Sequence, residues 1–237
     1  MRRSKLRALA PGVLFGAALA CGSGTGQIGS ISPTVSVSGV TRDYFTTTTV
    51  GAVALTVDDH PGLAATSAAN GSYTFPSVSS SSTLRAVAAV TNYRSTRNET
   101  LTIGSSAVVA DLFAVAVADA ARQYTAVSVT PTANTGVVIV NLRDAAGQPR
   151  EGIPLANIVL LDATQAPVGN GPYVFGTDGD VVPQSTLAVT TAVAGRSRVA
   201  FLNVPAGTDT LAVTIAGPQT LKASVVVTAS GATLVQR

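Results

Sequence analysis

Apolar and polar positions alternate in short runs along most of this chain, and turn-forming residues separate the runs at spacings of roughly 8–12 residues. Thr34 to Thr41 alternates around Val35, Val37 and Val40. Val50 to Val57 is almost continuously apolar, as a strand buried on both faces would be. Tyr73-Thr74-Phe75, Leu84 to Val90, Leu101 to Ile103 and Val108 to Val117 complete a first group of predicted strands. Val137 to Leu142, Ile158 to Leu161, Leu187 to Val193, Val199 to Leu202, Thr210 to Ile215 and Leu221 to Val227 form a second. Between them, Asp58-Asp59-His60-Pro61-Gly62 and Asp144 to Pro149 read as turns, and Ser77 to Ser82 as a serine-rich loop. Asn70-Gly71 is a hairpin signal, Gly171-Pro172 a break, and Pro205-Ala206-Gly207 a tight turn. Only Asp119 to Tyr124 suggests a short helical turn. This grammar predicts an all-β fold: two tandem Ig-like β-sandwiches over 34–126 and 136–237, joined by a linker at 127–135 containing Pro131 and Asn134.

The first 33 residues follow a different pattern. Four cations lie among Met1 to Arg7, an uncharged and mostly apolar stretch runs from Ala8 to Ala20, and Cys21 follows directly. Thirteen residues of helix rise roughly 20 Å, short of the ~30 Å hydrocarbon core, so residues 1–20 are expected to be an export signal and not a span. Two cuts remain open. Ala18-x-Ala20 suits ordinary signal peptidase. Ala18-Leu19-Ala20-Cys21 resembles the lipobox of bacterial lipoproteins, with Leu19 one place later than that family prefers. The resemblance implies lipidation of Cys21, the chain's only cysteine, and residues 21–33, rich in Gly and Ser, would be a flexible tether. Gly22 and Ser23 after the cysteine resemble the outer-membrane sorting pattern of some Gram-negative lipoproteins. The expected location is therefore the bacterial cell envelope, with the membrane as partner through the N-terminal lipid.

Removing that leader changes the charge picture. The whole chain carries +3, but four of its 15 cations lie in the leader, so residues 21–237 hold 11 against 12 acidic groups, about −1. A near-neutral body with no second cysteine has no disulfide framework, and its charge argues against nucleic acid as a partner.

Gly195-x-x-x-Val199-x-Phe201-x-x-Val204-Pro205-Ala206-Gly207-x-x-x-Leu211-x-Val213 resembles the closing signature of carboxypeptidase-regulatory-like domains, which are transthyretin-like β-sandwiches. Leu142-x-Asp144-x-x-Gly147-x-Pro149-x-x-Gly152-Ile153 is similar to the family's opening strand and turn, and Asn70-Gly71-Ser72-Tyr73-Thr74-Phe75-x-x-Val78 to a looser copy of the close. The resemblance implies an accessory, stalk or adhesive module without catalytic residues, in which Pro205 and Gly207 return the last hairpin.

The chemistry-bearing residues are few. His60 is the only histidine; beside Asp58 and Asp59 in an extended segment it would not converge with them on one ion, so no metal or cofactor is expected. No Gly-x-Ser-x-Gly elbow surrounds any serine. Thr177-Asp178-Gly179-Asp180, with Asp162, is similar to half of a calcium loop, against the simpler reading of a polar turn. Glu99 and Glu151, the only glutamates, fall in different predicted domains. Tyr93-Arg94-Ser95-Thr96-Arg97 reads as a charged edge strand or as a sugar or anion surface, and Asn98-Glu99-Thr100 fits a glycosylation sequon. Arg196 and Arg198 share one strand face, meeting either the domain junction or solvent. The expectation is a non-enzymatic, membrane-anchored structural or adhesive module, with an envelope protein or glycan as partner; the alternative is a carbohydrate- or peptide-binding accessory to a separate secreted enzyme.

Overall fold

The computed structural model describes residues 33–183, 191–192, 196–215 and 219–237. The leader, Cys21, the tether as far as residue 32 and most of the strand expected over 187–193 lie outside the described residues. In chain order the strands are β1 (Thr34–Asp43), β2 (Ala54–Val57), β3 (Ala64–Thr66), β4 (Ser72–Ser79), β5 (Ser82–Leu84), β6 (Ala86–Ala89), β7 (Tyr93–Arg94), β8 (Thr96–Arg97), β9 (Leu101–Ile103), β10 (Val108–Val109), β11 (Leu112–Ala116), β12 (Thr135–Leu142), β13 (Ile158–Leu161), β14 (Asn170–Val174), β15 (Thr191–Ala192), β16 (Arg196–Pro205), β17 (Gly207–Thr214), β18 (Thr220–Val227) and β19 (Ala232–Gln236). A helix, α1 (Val117–Ala126), follows β11. The protein is all-β, as the alternation predicts. Among the described residues no helix is long and apolar enough to cross a membrane.

Nine strands make the central sheet, ordered β14-β16-β12-β19-β8-β6-β2-β3 with β15 beside β16. Strand β12 is its middle: antiparallel to β16, parallel to β19, and buried from Gly136 to Leu142. Such a run is apolar without alternation because both faces are covered. On one face, Val138, Val140, Val199 and Phe201 pack against Leu211, Val213, Val225 and Val227 of the three-stranded sheet β13-β17-β18. On the other, Val137, Ile139, Ala200 and Leu202 pack against Tyr44, Val115 and α1. The helix presents Ala120, Gln123 and Tyr124 inward, an i, i+3, i+4 stripe, with Asp119 in its first turn where the helix dipole favours an anion.

The third core lies in the first half, where Val37, Tyr73 and Phe75 of β1 and β4 meet Leu55, Ala86 and Ala88 of β2 and β6. Strand β1 is gripped on both edges, by β4 antiparallel and by β10 and then β11 parallel.

Strands from both predicted halves join the central sheet at the parallel β8–β19 pair, Thr96↔Ala232 and Arg97↔Thr233. Ser32–Arg237 forms one compact unit. The segment expected to link the halves is tied down: Asn203 accepts from the Thr132 N–H at 2.9 Å and donates to the Thr130 carbonyl at 2.9 Å.

One turn reading needs correction, the hairpin at Asn70-Gly71, and the tight turn at Pro205-Ala206-Gly207 gains its place. Pro205-Ala206-Gly207 connects β16 to β17, and Asn70-Gly71 precedes β4 after β3, yet neither pair of strands is hydrogen-bonded together. Both turns are corners at which the chain crosses between sheets. A hairpin turn and a sandwich corner share residue preferences, since both need a sharp reversal, and here the core faces of the flanking strands decide. Likewise Gly171-Pro172 does not break the chain: it lies within β14, an edge strand, where a residue lacking an N–H is tolerated.

Candidate functional site

Arg198 is the most unusual side chain in the structure, 3% exposed at the centre of the sheet. Its guanidinium carbon lies 4.6 Å from the ring centre of Phe175, 5.5 Å from Tyr44 and 5.9 Å from Phe45. Three aromatic faces around one cation replace much of the water it loses. Tyr44 and Phe45 directly follow β1, Phe175 directly follows β14, and Arg198 lies on β16, so the cluster is assembled from both halves. Tyr44 stacks edge-on against Phe45 and Phe113. Its hydroxyl donates to Asn141 Oδ1 at 2.9 Å, and the Asn141 amide in turn donates to Glu99. A second cation, Arg122 of α1, stands 5.6 Å from the Phe45 ring and pairs with Asp180 and Asp119. Gln123 is buried beside it, accepting from the Val181 N–H and donating to Asp180. Tyr44, Asn141, Arg122 and Gln123 are each bonded to a polar partner here, and the arrangement clamps the two halves together.

Several residues singled out in the sequence take their places here. Of the two faces open to Arg198, it takes the junction; the side chain of Arg196 lies outside the described residues. Glu99 reaches across to Asn141, while Glu151 is exposed on a loop. Asp180 is committed to Arg122 and Gln123, the Asp178 carboxylate accepts from the Asp180 N–H, and Asp162 accepts from the Thr164 hydroxyl and from the N–H groups of Thr164 and Ala166. These bonds hold the Asp162 carboxyl below its usual range, the Thr164 hydroxyl contributing most. Each of these carboxylates thus serves a turn or the clamp, and among the described residues no three His, Cys, Asp or Glu gather to hold an ion. Asp58 is more than a solvated turn residue, since Arg97 grips it with two bonds of 2.5 and 3.0 Å.

The Tyr93–Arg97 reading needs division. Tyr93 and Arg94 do form an edge strand, β7, but the chain changes sheets at Ser95, and Thr96 and Arg97 are interior, between β6 and β19. Asn98 is buried, not displayed for a glycan: its amide accepts from the Phe113 N–H at 2.7 Å and donates to the Phe113 carbonyl at 3.0 Å, substituting for a strand partner. Phe45, Phe175 and Gln123 were missed as functional positions. The adjacent Tyr44-Phe45 pair in a chain with five Tyr and six Phe was the available signal.

Two titrating groups sit in unusual settings. Tyr73 donates to the Ala110 carbonyl at 2.7 Å, and its phenol is held far above the usual range by burial and then by the Asp111 charge. Asp209 faces the second-half core at 7% exposure with Oδ2 unpartnered; burial, then the charge of Asp162, raises its carboxyl. The native state therefore holds the Asp209 proton to a higher pH than the unfolded chain does. Stability is lost as pH rises from the ordinary carboxylate range through the raised one, and the deficit persists above it. An Asp209→Asn variant is expected to melt about 3 °C higher than the parent at pH 7, ~1 kcal/mol for a chain of this size, and to gain nothing at pH 3; paired calorimetric scans check this.

No family model matches the chain, and no curated protein matches it either. Among solved structures it is similar to the Bacillus anthracis TIE protein (11% identity, TM-score 0.30, 86% of this chain and 33% of that one). It is also similar to the minor pilin of Streptococcus agalactiae (12%, TM-score 0.27, 85% and 94%) and to a Bacteroides uniformis protein named for carbohydrate binding (14%, TM-score 0.31, 83% and 98%). The chain spans about a third of the length of the Bacillus anthracis protein. The likeness is confined to β-rich architecture.

Proposed function

We propose that this chain is a non-catalytic structural or adhesive β-module of the bacterial cell envelope, tethered through lipid on Cys21. One observation carries the structural part. The first and last described strands are both interior: β1 lies between β4 and the β10/β11 edge, and β19 lies between β12 and β8. Pulling either end must break two ladders at once, whereas an edge strand peels away from one. The clamp around Arg198 adds a second tie between the halves. That suits a body that transmits load between an anchored N-terminus and whatever its surface holds. The leader and the lone cysteine support the tether, and the resemblance to carboxypeptidase-regulatory-like domains over 136–216 supports a supporting role.

Force spectroscopy with handles at residues 33 and 237 is expected to give one major rupture. It releases about 700 Å of chain, 205 residues at roughly 3.5 Å each. Sequential low-force ruptures of the two halves would overturn the load-bearing reading. For the tether, a Cys21→Ala variant is expected to leave the membrane fraction for the soluble one; equal retention of variant and parent would sink it. Turnover of any substrate that a single Asp or Ser substitution abolishes would remove the non-catalytic part.

A further inference from the structure

The central sheet is covered unequally. Its α1-side face is packed along both halves, but the opposite face is covered by β13-β17-β18 over the second half only. Over the first half that face is open: Ala54, Thr56 and Ala89 are exposed there. Where the cover stops, at the edge strand β18, lies a cavity of about 590 Å³, within the size range of ligand sites. The register partners Arg97 and Thr233 cross its floor, and Thr83, Thr100, Thr102 and Ser224 line its sides.

Arg85, Arg97, Arg143 and Arg237 all line this groove, four of the eleven cations in residues 21–237. Arg97 is neutralised by Asp58 and fixes the floor by donating to the Val226 carbonyl. The other three are different. Arg85 donates to the Thr100 hydroxyl and Arg143 to the Gly147 carbonyl, both neutral acceptors, and Arg237 is exposed. Among the described residues none of the three forms an ion pair. Among the described residues the one lining side-chain carboxylate, Asp144, has an oxygen already engaged by the N–H groups of Ala146 and Gln148. A chain that is nearly neutral after its leader thus concentrates positive charge along one groove.

The geometry points to this groove as a binding site for an acidic oligosaccharide, one whose sugars carry carboxylate or sulfate groups. Guanidinium groups pair with such oxyanions through two parallel bonds, and the threonine and serine hydroxyls match sugar hydroxyls. Among the described residues no aromatic side chain lines the groove, which disfavours stacking of a neutral sugar face or a nucleobase. An acidic peptide adding a strand to β18 is disfavoured because Arg97 and Thr233 already occupy the Val226 carbonyl on that edge. The inference goes beyond the structural reading and stands or falls separately from it, since the force experiment does not involve this groove.

Titration of the full chain with oligogalacturonate and with sulfated dextran oligomers, at low salt, tests it. Binding to at least one is expected, weakening as salt rises, and the pair of probes tells carboxylate from sulfate. Arg85→Ala with Arg143→Ala is expected to reduce affinity at least tenfold. The Arg85→Lys, Arg143→Lys pair should recover part of it, which separates charge from folding. Arg42→Ala, at a cation paired with Asp111 away from the groove, should leave affinity within twofold. The inference is overturned if neither acidic probe binds, if neutral dextran binds as well, if the double alanine variant folds and binds like the parent, or if polyglutamate or single-stranded DNA competes equally.

Discussion

A Gly39→Ala variant is expected to lose about 3 kcal/mol or more of stability, at the top of the range for forcing atoms into a packed site. The methyl group would fall deep inside the Ala110 carbonyl, meeting its carbon at 2.7 Å and Tyr73 Cε1 at 3.2 Å. The obstacle is backbone, which has no rotamer to yield. Gly39 sits where the partner of β1 changes from β10 to β11, and the crossing point is held tightly. Ala110 donates to the Ser38 carbonyl at 2.9 Å, Tyr73 donates to the Ala110 carbonyl, and Asp111 accepts from the Val40 N–H and from Arg42. Moving Ala110 aside strains all of these bonds together. A drop of about 10 °C in Tm is expected for a chain of this size. Gly104→Ala is the matched control: nothing lies within 4 Å of its added carbon, and a change within about 0.5 kcal/mol is expected. Equal melting of the two variants would mean that the strand crossing at Gly39 is looser than described.

What the sequence discloses here, and what it hides, follows from the range of the interactions. Strands with one covered face alternate, so β1, β17 and β18 can be read from their valines and leucines alone. Strand β19 escapes because Ala232 to Val235 is buried on both faces and short, which leaves no period to detect. The interior place of β8 escapes for another reason: a two-residue strand after Ser95 has no pattern of its own, and its place is set by partners more than a hundred residues away at Ala232 and Thr233. The helix is visible at 119–124 and extends to 117–126, since only its inward stripe carries a signal. Charge misleads in the same way. Arg198 and Arg97 look like surface residues, yet each is placed by partners that no local window contains: three aromatic rings for one, Asp58 for the other. The groove is invisible for the same reason, as its four arginines are spread from residue 85 to residue 237.

Tyr44→Ala is expected to cost ~4 kcal/mol, in the range for deleting a buried aromatic ring, and to lower Tm by about 10 °C. The larger consequence concerns cooperativity. Tyr44 directly follows β1 but is packed in the second-half core with Ile139, Ala200 and Leu234, and its hydroxyl bonds Asn141 on β12. Beside the two-pair β8–β19 ladder and the contacts of α1, this cluster is a contact through which strands of the first half feel strands of the second. Removing the ring also takes one of three aromatic faces from Arg198, leaving a buried cation less well compensated. The parent is expected to unfold in one calorimetric transition, and the variant in two, with the first-half strands melting first because β19 and β12 remain paired within the other group. Tyr44→Phe separates the ring from its hydroxyl: it keeps the ring packing, loses the Asn141 bond, and should cost ~1 kcal/mol while keeping one transition. If Tyr44→Ala still melts in a single step, the β8–β19 ladder and the contacts of α1 couple the halves, and the Tyr44 ring contributes packing without communication.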